Sequence, residues 1–287
     1  MKNINLVKIG SDSINEENLI RLLDDMKRYE EKTWEKFIII SSGAVKLWKE
    51  VVKSRWQNIE NFKDSSLASI WQSFLTQTYD RLSWDKIVWE ILLDDYINNN
   101  YINSIISKLR QGKLLQRFAK KVIEVINERK DKHLAETIAD LVQNDVLVIL
   151  NHNDTTSEQE LKNLSNKTDN DKNTIHVSEI INKYSEEIWM EIKRVIYLTN
   201  TNWIFDENKK TVKWGEVLLD NIEEEKKKYF KYILDDKSKA WTWWMLSKLK
   251  CSFEVLKFRV EESIIANSKK WLSCLENKDN STHFVVK

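Results

Sequence analysis

Apolar and polar positions along the 287-residue chain fall into two recurring patterns. Short β-branched apolar runs occur at 4–9 (INLVKI), 36–41 (KFIIIS), 87–93 (IVWEILL), 145–150 (DVLVIL), 193–199 (KRVIYLT), 259–266 (RVEESIIA) and 282–286 (THFVV), and each reads as a strand. Between most of them, apolar residues recur every three to four positions. That spacing predicts helices around 15–31, 66–81, 115–143, 177–190, 244–257 and 267–275, with Asp171, Ser178 or Ser247 as candidate caps. Strands alternating with helices imply an α/β fold, with a mainly parallel sheet covered by helices on both faces.

The stretch 151–176 (NHNDTTSEQELKNLSNKTDNDKNTIH) has neither pattern and reads either as a disordered linker or as a strand-end loop. Ligands of open α/β sheets bind outside the carboxyl ends of the strands, which favours the loop. The same end carries VKIGSDS after the first strand, SSGAV after the second and LTNTN after the fifth. Lys8 beside Gly10 and Ser11 pairs a cation with turn N–H groups, a phosphate-binding combination. Ser41, Ser42 and Gly43 lead into Ala44, where free N–H groups of a helix start would face an anion. Asp154, Asp169 and Asp171 are candidate partners for an amine, Mg²⁺ or lysines.

Composition narrows the classes. Lys and Arg total 46 against 45 Asp and Glu, a net charge of +1, so no global field recruits nucleic acid or an anionic membrane. Cys251 and Cys274 are far apart and lack metal-type spacing, as expected of a reducing cytosol. The four histidines, His133, His152, His176 and His283, have no ligand-like spacing, and no metal site is expected. No apolar run reaches the length of a membrane span, and the expected location is cytoplasmic. Walker A, Rossmann, GxSxG and HExxH patterns are absent.

Average usage would place about 14 Pro and about 20 Gly in this length, yet the chain has no Pro and four Gly, alongside 13 Trp. AT-rich coding explains the scarcity of Pro and Gly but runs against the Trp excess. WTWWMLSK at 241–248 concentrates three indoles in four residues.

Taken in order, the motifs resemble the amino acid kinase family and, within it, its glutamate 5-kinase branch. The resemblance runs through VKIGS at 7–11, ISSGAV at 40–45, SSLASIWQSFLTQTY at 65–79, EILLDD at 90–95, VLVILNHND at 146–154, TDND at 168–171, YLTNTNWIFD at 197–206 and WTWWMLSK at 241–248. It implies a three-layer α/β/α domain, with a substrate-binding lobe over about 1–190 and a nucleotide-binding lobe over about 191–287. The implied reaction is ATP-dependent phosphorylation of the glutamate γ-carboxylate, the first step of proline synthesis, with Mg²⁺ arriving on ATP.

On this resemblance Lys8 and Lys248 flank the transferred phosphoryl group and Asp171 holds both. Ser42, Gly43, Ala44, Asn153, Asp154 and Asn170 take the acceptor. Lys8, Gly10, Thr199, Asn200 and the segment Thr242, Trp243, Trp244, Met245 to Lys248 take the nucleotide, as a loop. A carboxylate acceptor is already a nucleophile, so positioning and charge stabilisation suffice. The resemblance also implies a homo-oligomer and glutamyl phosphate reductase as a partner. The chain ends after THFVV, so the RNA-binding-type PUA module of longer relatives is not expected.

The departures are as informative. His152 stands where the family has Glu, Asn200 where it has Asp, and 96–128 exceeds the family's connection. Trp48, Trp71, Trp203, Trp241, Trp243 and Trp244 stand where the family has glycine, and Trp34 and Trp271 are further candidates. Glycine supplies positive φ and close backbone approach, which Trp does not. The pattern implies a gene that reads UGA as glycine, translated here with UGA as Trp. The alternatives are another acceptor within the family and a catalytically inactive regulatory paralogue.

Overall fold

β1 (Lys2–Ile9) lies at the centre of the fold, hydrogen-bonded in parallel to β2 (Lys36–Ser41) on one side and to β5 (Met190–Thr199) on the other. The computed structural model describes residues 1–10, 13–41, 64–83, 85–93, 113–152, 170–199, 214–234, 239–278 and 281–287. Beyond β2 follow β4 (Leu147–His152) and β3 (Val88–Leu93); beyond β5 follow β7 (Glu262–Asn267), β8 (Ser281–Val286) and β6 (Trp214–Val217). The eight-stranded order is β3-β4-β2-β1-β5-β7-β8-β6, and only the β7–β8 pair is antiparallel. Strand order reverses around β1, so the crevice outside its carboxyl end is the natural ligand position.

Helices cover both faces, giving the expected three layers. Side chains alternate along β1: Ile4 and Leu6 join the cluster that includes Val177, Leu249 and Phe253, while Val7 and Ile9 join the cluster of Leu19, Met26, Leu75 and Trp271. The first face carries α3 (Lys113–Gln143), α4 (Asn170–Lys183), α5 (Ser185–Ile188), α6 (Ile222–Leu234) and α7 (Lys239–Val255). The second carries α1 (Glu16–Thr33), α2 (Asp64–Leu82) and α8 (Leu272–Glu276). Asn15 caps α1 by accepting from the Asn18 N–H at 2.8 Å. In β6 a Cβ on Gly215 would lie 2.6 Å from the Tyr229 hydroxyl and 2.9 Å from the Phe284 ring, so only glycine fits there.

All seven predicted strands are present, with boundaries shifted by up to three residues. Helices depart more. α4 starts at Asn170 rather than 177 because the Asn/Asp stretch supplies its first turn, where Asp171 suits the positive helix end. Ser178 and Ser247 lie inside helices rather than at their starts. The predicted 267–275 helix shrinks to α8. β6 and α6 were not anticipated: β6 has four residues, and the inner stripe of α6 includes buried Glu225 and Lys226, which hides its apolar period. Of the surplus segment 96–128, residues 113–128 form the first half of α3, and the remainder lies outside the described residues.

A polar strut crosses the second face near the entry ends of the parallel strands. Arg194 donates to Glu35 at 2.7 Å and to the Asn5 side-chain oxygen at 3.3 Å, and its Nε lies 3.3 Å from Glu262. His283 Nδ1 donates to Glu262 at 2.7 Å, and Ser281 Oγ lies 2.7 Å from His283 Nε2. Burial pushes the Tyr29 hydroxyl, beside Glu35, up to about 12.

Candidate active site

Three ionisable side chains meet on the first face, level with the carboxyl end of β1. Lys8 points there because it alternates with Ile4 and Leu6 along the strand. Its register neighbours are Ile40 and Tyr197. Asp171 comes from the first turn of α4, and Lys248 from α7, which packs on α4. Lys8 Nζ forms an ion pair with Asp171 Oδ1, and Lys248 Nζ donates to Asp171 Oδ2 at 3.3 Å. All three are at most 5% exposed. Burial pushes the Asp171 carboxyl up, and the two ammonium charges more than offset it, so it sits below the ordinary carboxylate range. One carboxylate holds two lysines, and the trio carries one positive charge more than negative. Such an arrangement favours an anion between the ammonium groups.

The surrounding groups are ordered. Thr174 Oγ1 lies 2.6 Å from the Tyr197 hydroxyl. Gly10 directly follows β1, and its carbonyl accepts from Ser13 N at 2.9 Å. Its backbone is not left-handed, and a Cβ would sit 3.8 Å from the Leu198 carbonyl, so glycine there keeps space open rather than relieving strain. Thr199 ends β5, with its carbonyl accepting from Ser268 N at 2.8 Å. Asn170 opens α4 and accepts from Asn173 at 2.9 Å.

Of the remaining sequence candidates, Ser42, Gly43, Ala44, Asn153, Asp154 and Asn200 lie outside the described residues. Thr242, Trp243, Trp244, Met245 and Lys248 all fall within α7, so the segment expected as a nucleotide loop is helical. The physical reason is residue type: Trp extends a helix that glycine would end. Met245 is 3% exposed and packs in the core with Leu249 rather than lining an open surface.

Sequence reasoning missed a polar group on the second face, where α2 packs on β3. α2 turns Gln72 and Tyr79 inward on the same stripe as Leu75, with Thr76 beside them. Tyr79 OH lies 3.4 Å from Ser41 Oγ. Thr76 and Asn151 both donate to Glu90. Polar residues at helical spacing on a buried stripe were the available signal.

The profile of the amino acid kinase family matches residues 3–267. The chain belongs to the amino acid kinase family. Solved structures of the same fold include carbamate kinase from Giardia lamblia bound to AMP-PNP, at 13% identity and TM-score 0.59, covering 100% of this chain and 99% of that one. N-acetylglutamate synthase from Neisseria gonorrhoeae complexed with coenzyme A and N-acetyl-glutamate matches at 9% identity and TM-score 0.54, over 100% of this chain and 59% of that one. A comparison with curated proteins returned no match. Family membership supports a kinase-type phosphotransferase whose acceptor is a carboxylate or a phosphate. No helix among the described residues is long and apolar enough to cross a membrane.

Proposed function

We propose that the protein transfers the γ-phosphoryl group of ATP to the γ-carboxylate of L-glutamate. The observation that carries phosphoryl transfer is the convergence of Lys8 and Lys248 on the buried Asp171. In this reading the two ammonium groups take the charge that spreads over the transferred group, and Asp171 fixes their positions. Thr199 and Asn200 hold the nucleotide with the segment 242–248, and Gly10 leaves room for phosphate. Ser42, Gly43, Ala44, Asn153, Asp154 and Asn170 bind the acceptor. Glutamate as acceptor rests on SSGAV at 41–45 together with NHND at 151–154 and TDND at 168–171. The AMP-PNP in the carbamate kinase of the same fold supports ATP as donor. In this reading Mg²⁺ enters on the nucleotide phosphates.

The reading has a second part: the native chain carries glycine at Trp48, Trp71, Trp203, Trp241, Trp243 and Trp244. Two further tryptophans support it on geometry alone. Trp34 and Trp189 end α1 and α5 in left-handed conformations, φ 65° and 55°, with side chains 84% and 69% exposed. Each backbone N–H caps the helix, to Glu30 and Ser185, as glycine does at such ends, and both tryptophans are largely exposed. The helical backbone at 242–244 favours the rival reading, an inactive regulatory protein, if Trp is native there.

One experiment separates them: hydroxylamine trapping of γ-glutamyl phosphate by the printed chain and by a version with glycine at the six positions. Activity in the glycine version alone supports both parts. A folded, ATP-binding glycine version that is inactive on glutamate overturns the acceptor, and ADP formation with aspartate, carbamate or UMP supplied in turn then identifies the acceptor class.

A further inference from the structure

The peptide that leads into the proposed acceptor loop is held from three elements. Glu90, on β3, receives the Thr76 hydroxyl on Oε2 and the Asn151 amide on Oε1, the latter at 3.2 Å. Asn151 Oδ1 accepts the His152 backbone N–H at 2.9 Å. The His152 carbonyl accepts from Gln72 Nε2 at 3.4 Å, and His152 Nδ1 donates to the Leu93 carbonyl at 3.1 Å. The backbone donor, the backbone acceptor and one ring nitrogen of His152 are therefore all engaged, and Asn153 and Asp154 follow directly in the chain.

A carboxylate is an expensive way to fill this position. Burial raises its protonation range, and Thr76 and Asn151 offset only part of that. An apolar residue of similar volume would avoid the desolvation cost, so stability alone does not account for Glu90. Orientation does: the carboxylate has two acceptor oxygens, and each is directed at one donor on a different element.

We propose that Glu90 is a positioning residue for the acceptor side of the site: through Asn151 it sets the exit of β4 at His152, the residue that directly precedes Asn153 and Asp154 in the chain. This rests on the kinase reading given above. A misplacement of about 1 Å at an acceptor site costs on the order of a hundredfold in rate, which makes the effect measurable.

The test uses E90Q, E90L and T76V in the catalytically competent chain. E90L should raise the acceptor KM about tenfold or more while the ATP KM stays within about twofold. E90Q should restore the acceptor KM to within about threefold, since its amide can accept from Asn151 and donate to Thr76. T76V removes one of the two donors and should give a smaller acceptor effect, which keeps the test available if E90L does not fold. Amide hydrogen exchange at His152, measured without substrates, should quicken in E90L and not in E90Q. Equal rises in both KM values, or unchanged acceptor KM and unchanged His152 exchange in E90L, would overturn the proposal. If no acceptor is turned over by any version, the kinase reading fails instead. His152 exchange then still decides whether Glu90 controls the exit of β4: unchanged exchange overturns that claim, and quickened exchange in E90L alone upholds it.

Discussion

Two ionic clusters, one buried and one half-buried, lie on opposite faces of the same sheet, and their charge arrangements differ. At the exit end of β1, Lys8 and Lys248 share one carboxylate, Asp171. Near the entry ends, Arg194 lies between two carboxylates, Glu35 and Glu262, and Glu262 is further engaged by His283. The second cluster sets one guanidinium between two carboxylates and ties β1, β5, β7 and β8 together. The first gathers two ammonium groups on one carboxylate, at the end of the sheet where the strand order reverses. The two clusters thus differ in burial, in the ratio of cation to anion and in the end of the sheet they occupy, and it is the first that lies at the switch point of the strand order.

The largest effect that would break this comparison is on activity. Lys8→Met and Lys248→Met should each lower kcat by about 10²–10³-fold while the protein stays folded, because in the proposed reaction each removes one charge that stabilises the transition state. Asp171→Asn should lower kcat as well, since two ammonium groups then lose the anion that holds them. Steady-state kinetics beside thermal unfolding checks all three. Unaltered kcat in Lys8→Met would remove Lys8 from the reaction.

On the strut the expectation reverses. Arg194→Met should cost about 2–3 kcal/mol of stability, because Glu35 and Glu262 are left half-buried against an apolar side chain. The kcat of the folded fraction should hardly change. Urea unfolding measures the first quantity and activity per folded molecule the second. A large kcat loss with little stability loss would make the strut part of the reaction.

These two clusters also show how much was legible in the sequence. The first was visible because its residues sit in motifs at strand ends, VKIGS, TDND and the segment ending in Lys248. The second was not, because Glu35, Arg194, Glu262, Ser281 and His283 come from separate segments and only strand register brings them together. The same limit hid α6, whose buried Lys226 pairs with Glu223 and Glu254. Strands were legible from their β-branched runs, whereas α4 began seven residues early because its first turn is polar. The acceptor-side group of Gln72, Thr76, Glu90 and Asn151 was spread over three segments and went unread for the same reason as the strut.

Acid sharpens the comparison further. Burial pushes the Glu262 carboxyl up, but His283, Lys278 and Arg194 together hold it below its ordinary value. A depressed carboxylate contributes stability that is fully present above its unfolded pKa and lost as pH falls through the lower folded value. The stability difference between wild type and Glu262→Gln should therefore be largest at neutral pH and shrink below about pH 4.5. Denaturation curves across that range check it, and a difference that grows toward acid would reverse the sign of the assignment.

The smallest effect concerns backbone rather than charge, and it bears on which residues the native chain contains. Trp34 and Trp189 hold left-handed helix ends with exposed indoles, whereas Trp271 is 1% exposed and packs edge-on against Phe37 with ring centroids 5.8 Å apart. A left-handed conformation costs a side-chain-bearing residue roughly 1–2 kcal/mol, and glycine returns part of that through its freer unfolded chain. Trp34→Gly and Trp189→Gly should thus each stabilise the fold by up to about 1 kcal/mol. Trp271→Gly in the same background should destabilise it by about 3 kcal/mol or more, because an indole-sized cavity replaces core contacts. If Trp34→Gly and Trp34→Ala change stability equally, the gain comes from removing an exposed ring and the left-handed cap is not the cause. A gain confined to glycine ties these two positions to the same residue that the segment 241–244 calls for, with no reference to activity.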